Sequence, residues 1–386
     1  MLTSRINFIN FKKKINKKIS FQTLSLLKQE NNQVIGSLSK NYQNNYNIKL
    51  LKKFKSIKNF RIIGMGGSIL GAETIYNFLK KKIKKKFHFV DNLSPKLKKE
   101  KKKIANLVIS KSGNTIETIV NANILIKKND KNIFITENKK NYLNVLAKKL
   151  KAEIVHHNNF IGGRYSVLSE VGMLPAELMG LKCENFRQYN SLIKNKKFVN
   201  ELINNVSSTL YFIKKKKFNS IIINYDSQSD SLFKWYQQLI AESLGKKSKG
   251  LLPIVSSMPK DNHSVMQLYL DGFKNNFYTF FYTHEKKTNK INSNKILNSL
   301  KILKNKNLSE IIYAQKKATE NVFKRKKIPF RSFEIKKRDE KTLGELFVFF
   351  ILETILLGKC LKLNPYDQPA VELIKKETKK QLISIR

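Results

Sequence analysis

The chain has 386 residues, enough to bury a large core and to favour two domains over one. Its apolar fraction of 41% is ordinary for a globular protein, but Lys+Arg number 76 against 28 Asp+Glu, a net charge of +48. The lysines are scattered, with clusters at Lys80–Lys86, Lys98–Lys103 and Lys214–Lys217 that fall at helix ends and turns. No zinc-finger spacing, aromatic RNA-binding motif or single basic tail accompanies them, so the charge reads as compositional drift rather than specific nucleic-acid binding.

In chain order, residues up to about Asn59 are Lys/Asn-rich with weak helical periodicity, and a helical lead-in over 1–59 is expected. A strand–helix alternation begins at Phe60–Gly67 (FRIIGMGG), a strand running into a Gly-rich turn. A helix over Ile69–Leu79, strands at Phe87–Val90 and Asn106–Ser110, a helix over Thr115–Ile126, a strand at Asn132–Thr136 and a helix over Tyr142–Leu150 complete a first α/β domain, 60–160. Short apolar strands alternating with helices imply a parallel sheet covered on both faces. A mostly helical connector, 161–215, leads to a second alternation over 216–362. Its strands are Ser220–Tyr225, Pro253–Val255, Asn275–Tyr282 and Phe330–Ile335, with helices at Ser231–Leu244, after His263, and at Leu343–Leu361. A Pro-bounded turn and a helix form the tail, 363–386. The apolar segment Leu346–Gly358 is interrupted by Glu353 and is too short to span a bilayer. Cys183 and Cys360 are too few and too far apart for a disulfide framework, the N-terminus lacks the apolar run of a signal peptide, and a reducing cytoplasm is expected.

Five segments could carry chemistry. GMGGSILG, Gly64–Gly71, follows a strand and opens a helix, but fails the G-x-G-x-x-G spacing in both registers and lacks the Gly-Lys of a P-loop. It is either a tight turn capped by Ser68 or a backbone approach to an anion at a helix N-terminus. SKSGNTIET, Ser110–Thr118, repeats the pattern, again with caps (Ser112, Asn114) as the plainer alternative. Two such loops would lie at the C-terminal edge of one parallel sheet, where ligands bind, and hydroxyls plus helix amides suit a monophosphate. GGRYSVLSEVG places Arg164 after two glycines. In WYQQLIAESLGK, Glu242 lies within about 20° of Trp235 on a helical wheel. A carboxylate on that apolar face suits a general base or a buried ion pair. His263, in KDNHSVMQL, stands at an apparent helix start, where a lone histidine is more often a cap or surface residue.

Together with NPYDQPAVELIK, these motifs occur in the order seen in glucose-6-phosphate isomerases, and from Gly64 to Lys375 the chain resembles that family. The resemblance implies two tandem sugar isomerase (SIS) domains, each a three-layer α/β/α unit with a mainly parallel sheet, plus the helical tail. It implies an aldose–ketose isomerase interconverting glucose 6-phosphate and fructose 6-phosphate through a cis-enediol, with no metal or nucleotide cofactor. By matching motif positions, Ser68, Ser110, Ser112 and Thr115 would hold the phosphate, with Gly67 and Lys111 supplying backbone contacts. Glu242 would be the base, Arg164 would stabilise the enediolate, His263 and Lys375 would open the sugar ring, and Gln368 would bind substrate. The family works as a homodimer in which the histidine comes from the neighbouring chain.

Departures from the family pattern are Ile69 where Asp is frequent, Asn262 where Gln precedes the histidine, and Ile374 where Gly precedes the lysine. SKSGNT is closer to the loop of bifunctional phosphoglucose/phosphomannose isomerases, which makes that activity the alternative, with Asn114 and Thr115 as the residues that would admit water or rotate the enediol and the Gly113–Asn114 pair as the feature that leans toward it. A non-catalytic sugar-phosphate sensor is a further alternative, disfavoured because Glu242, His263 and Lys375 are all kept.

Overall fold

The computed structural model describes residues 2–11, 17–96, 104–127 and 129–385. Ten strands are present among them: β1 (Ile6–Ile9), β2 (Asn59–Gly64), β3 (Lys86–Val90), β4 (Ala105–Ile109), β5 (Lys131–Glu137), β6 (Glu153–His157), β7 (Asn219–Asn224), β8 (Leu252–Ser257), β9 (Asn276–Thr283) and β10 (Phe330–Ile335). They form two five-stranded sheets, ordered β3-β2-β4-β5-β6 and β1-β10-β9-β7-β8. The first is wholly parallel. The second is parallel except for β1, which runs antiparallel to β10 with Ile6 opposite Ile335. Every residue of β4 and of β9 is buried, as expected of central strands covered on both faces.

The expected α/β pairing of two similar units is therefore present, with three differences in the elements. Residues 6–9, inside the expected helical lead-in, are a strand that completes the second sheet. β6 and the helix Leu308–Arg325, which crosses from β9 to β10, were not expected from the sequence. The Lys98–Lys103 cluster lies outside the described residues.

The two halves meet through helices. Leu70–Leu79 packs on Asp230–Leu244, with Asn77 Nδ2 donating to Ser231 Oγ at 3.1 Å. Arg338 adds a second tie: it forms an ion pair with Asp226 at 2.8 Å and lies over the Phe78 ring. Helix Glu340–Cys360 is the centre of the core, buried continuously from Thr342 to Gly358. Among the described residues, no helix is long and apolar enough to cross a membrane. Within that core, Glu353 pairs with Arg331 and accepts from Asn205 at 2.6 Å and Tyr236 at 3.2 Å.

Candidate active site

In the first sheet, chain order reverses between β2 and β4. That is a topological switch point, where loops leaving the strand ends diverge and open a crevice. GMGGS leaves β2 and SKSGNT leaves β4, so the two small-residue loops stand side by side at that edge. Gly66 takes φ +52. Gly67 is packed so closely that a Cβ there would come within 2.1 Å of the Gly163 carbonyl carbon, so GMGGS and GGR touch backbone to backbone.

The capping alternative for these loops is not realised. Helices Leu70–Leu79 and Ile116–Leu125 both begin without a side-chain cap bond. Elsewhere Asn or Asp side chains cap Ile48–Phe54, Tyr142–Lys149, Leu308–Arg325 and Glu340–Cys360. Uncapped first-turn amides and the positive helix end make an anion site. Ser110 is buried, with Oγ 2.9 Å from Thr115 Oγ1. Ser68 is half-buried and Ser112 exposed. Lys111 turns its ammonium away to the Asn159 carbonyl at 2.8 Å and to Glu137 at 3.5 Å.

A second cluster forms where the halves meet. Arg164 is 2% exposed and donates to Glu242 Oε2 at 3.2 Å, Gln368 Oε1 at 2.6 Å and Ser243 Oγ at 2.8 Å. It also donates to the carbonyls of Pro365 at 2.8 Å and Asp367 at 3.0 Å. Trp235 and Leu239 are buried on the same helix, but the Glu242 side chain is 31% exposed at the edge of that face. It opens onto a cavity of about 730 Å³ shared with Gly245, Lys246, Asp367 and Gln368. Lys246 pins the opposite wall through Asp367 Oδ1 at 2.6 Å, and that hydrogen bond is the main reason the Asp367 carboxyl is held below the usual range.

Gln238, one turn before Glu242, was missed in the sequence. Its Nε2 donates to Glu242 Oε1 at 2.9 Å, its Oε1 is buried without a partner, and a Cβ on Gly66 would come within 2.7 Å of its Nε2. It therefore links the glycine loop to the carboxylate, and the i, i+4 spacing was the available signal. Beyond it lies a concavity lined by Glu73 and Asp91. Burial, then the Asp91 charge, pushes the Glu73 carboxyl up.

His263 and Lys375 stand apart from this cluster. His263 is exposed on the turn after β8. Lys375 lies on the exposed helix Val371–Ser384 and bonds Glu372 at 2.6 Å. Gly113 and Asn114, the pair that leans toward the bifunctional alternative, are engaged elsewhere. Gly113, with φ +67, packs against Asn141, and Asn114 Oδ1 accepts from the Tyr142 amide at 3.0 Å.

Two doubly wound units facing one another across helices, each with a mainly parallel sheet, form an SIS-type α/β/α fold, the fold also of a tagatose-6-phosphate ketose/aldose isomerase from Escherichia coli (TM-score 0.52, 13% identity, covering 83% and 88% of the two chains). A structure of a glucose-6-phosphate isomerase from Chlamydia trachomatis has the same fold, with TM-score 0.70, 16% identity, and coverage of 95% of this chain and 78% of that one. A hypothetical protein from Thermus thermophilus superposes with TM-score 0.79 at 21% identity, covering 95% and 94% of the two chains. In sequence, the glucose-6-phosphate isomerase of Methanocaldococcus jannaschii is 32% identical over 91% of this chain and 90% of its own. That of Mycoplasmopsis pulmonis is 32% identical over 84% and 82%. The family model for phosphoglucose isomerase matches residues 48–384. The chain belongs to the phosphoglucose isomerase family.

Proposed function

We infer that the chain interconverts glucose 6-phosphate and fructose 6-phosphate. The observation that carries this reading is the Glu242 carboxylate held 3.2 Å from a buried guanidinium at a cavity mouth, in a chain of the phosphoglucose isomerase family. Aldose–ketose exchange needs a base that takes the C2 proton of the open aldehyde and returns it to C1, while the C2 hydroxyl proton passes to O1. No atom is gained or lost. Glu242 is the base, and Gln238 and Arg164 hold one carboxylate oxygen each. Arg164 faces the negative charge that develops on the enediolate.

Ser68, Ser110, Ser112 and Thr115, with the Gly67 and Lys111 backbone, bind the phosphate, far from the reacting carbons. This contact supplies binding energy that fixes orientation. Gln368, bonded to Arg164, contacts the sugar. His263 and Lys375 carry the ring-opening step, and the exposure of His263 supports its donation to the site of a second copy in a homodimer. The expected compartment is the cytoplasm.

The test is a coupled assay on fructose 6-phosphate, run with and without a chelator and repeated with mannose 6-phosphate. Turnover of fructose 6-phosphate that survives chelation, with little on mannose 6-phosphate, is expected. Engagement of the Asn114 side chain by the Tyr142 amide supports the narrower reading. Comparable turnover of both sugars would establish the bifunctional alternative, and no turnover of fructose 6-phosphate would contradict the reading.

A further inference from the structure

The loop Ser110–Thr115 is shaped from outside. The Lys111 carbonyl accepts two hydrogen bonds, from the Thr136 hydroxyl at 3.2 Å and from the Glu137 amide at 3.1 Å. The Gly113 carbonyl accepts from the Leu143 amide at 3.1 Å, and Asn114 Oδ1 from the Tyr142 amide at 3.0 Å. All of these donors lie at the end of β5, on the connection that follows it, or on the first turn of helix Tyr142–Lys149. In a trans peptide the carbonyl and the next N–H point in opposite directions. Drawing the Lys111 and Gly113 carbonyls onto this connection therefore turns the N–H groups of Ser112 and Asn114 away from it, the Asn114 N–H onto Ser112 Oγ at 3.3 Å, while the Gly113 N–H closes the turn on the Ser110 carbonyl at 3.1 Å.

The Thr136 hydroxyl is itself oriented. Asn141 Nδ2 donates to Thr136 Oγ1 at 3.2 Å, which leaves the single hydroxyl proton for the Lys111 carbonyl. Asn141 is fixed in turn: its Oδ1 accepts from the Asn144 amide at 2.9 Å and its Nδ2 also reaches the Lys139 carbonyl at 3.1 Å. Thr136 is 0% and Asn141 6% exposed, so water does not compete for these bonds. The same Asn141 side chain fits against Gly113, where a Cβ would come within 2.1 Å of Oδ1.

We propose that Thr136 and Asn141 are positioning residues of the phosphate loop, a buried relay that holds the Lys111–Asn114 backbone so that the Ser112 amide and the Ser112 hydroxyl, itself bonded to the Asn114 amide, face the ligand's phosphate. They set affinity for the phosphorylated sugar without touching it. The proposal rests on residues 110–115 being the phosphate loop. A loop held by buried donors keeps its amides oriented before the ligand arrives, so binding carries no cost of reordering. Without the relay, the Lys111 carbonyl keeps only the Glu137 amide and is held less firmly against turning toward the phosphate, which repels it.

Steady-state kinetics on fructose 6-phosphate, with inorganic phosphate as competitive inhibitor, test the relay. Thr136→Val and Asn141→Ala are expected to raise KM and the phosphate Ki together by about tenfold, with kcat within about twofold, the signature of lost ground-state binding. Thr136→Ser keeps the hydroxyl and should keep both constants. Ser110→Ala, a change in the loop itself, should also raise both. If Ser110→Ala raises them and Thr136→Val and Asn141→Ala do not, the relay is wrong and the phosphate loop stands. Unchanged constants in Ser110→Ala overturn the phosphate loop and the proposal with it. A loss of kcat at constant phosphate Ki in the relay variants would mark a general structural defect and also overturn it. Should Thr136→Val fail to fold, Asn141→Ala breaks the relay one bond earlier and carries the same test.

Discussion

Arg164 donates five hydrogen bonds, one for each N–H of its guanidinium, while almost wholly buried. No lysine can reproduce that fork, so Arg164→Lys should lower kcat/KM by about 10²-fold or more, measured on fructose 6-phosphate. Arg164 was legible because two glycines precede it, and Glu242 because of its place on the helical wheel. Gln238 was not read, although its i, i+4 spacing to the candidate base Glu242 was the signal, because a glutamine at that spacing bears on the site only once the hydrogen bond between them is seen. His263 and Lys375 were legible only through the family's motifs, and within one chain their surroundings do not join them to Glu242. On the core helix Glu340–Cys360, burial pushes the Glu345 carboxyl up to about 7 from the usual 4.5, although it accepts from Thr3 Oγ1 at 2.7 Å. The folded chain then binds this proton more tightly than the unfolded one, so the residue's contribution to stability falls as pH rises from about 4.5 to about 7. Glu345→Gln should match the parent below that window and exceed it by roughly 1–3 kcal/mol at pH 8 in urea unfolding. A difference that does not vary with pH would contradict the assignment.

The glycine turn after β2 and the turn before Arg164 work as one element, because Gly67 lies against the Gly163–Arg164 peptide. Gly67→Ala forces the two apart by more than an ångström, which moves Ser68 relative to Arg164. A fall in kcat/KM of roughly 10²-fold is expected, the cost of about 1 Å of misplacement in an oriented site, and crystallography of the variant would show the displaced loop. Strands with continuous apolar runs, such as the Ile221–Ile223 run of Asn219–Asn224, were legible almost to the residue. β1 and β6 were not, for a shared reason. β1 has four residues with alternate burial, too short a run for a period of two to stand out, and β6 carries Glu153 and two histidines in five residues. Tertiary pairing with β10 and β5 makes them strands. The helix Leu308–Arg325 did carry a local signal, the capping box of Asn307 and Glu310, hidden in a Lys/Asn-rich stretch.

Across the whole molecule, the halves are organised around the buried helix Glu340–Cys360, whose one central charge, Glu353, is answered by Arg331. Removing one partner strands the other, so Glu353→Ala should cost about 3–5 kcal/mol in urea unfolding. The fold class was legible because βα alternation is repeated twice; the way the halves face each other was not, since it depends on contacts such as Arg338 over Phe78 and Asn77 with Ser231 that join distant parts of the chain. The charge of +48 is a property of the whole surface. Duplex DNA should bind weakly, with affinity falling steeply as salt is raised, and sequence-selective binding at physiological salt would show a function the site does not explain. The central claim is that Glu242 moves the proton. It is tested by comparing the parent and Glu242→Gln in fructose 6-phosphate turnover, coupled to oxidation of the product, alongside binding of a sugar-phosphate inhibitor. Turnover is predicted to fall by about 10³-fold or more with inhibitor binding retained, and a variant that turns over near the parent rate would contradict it.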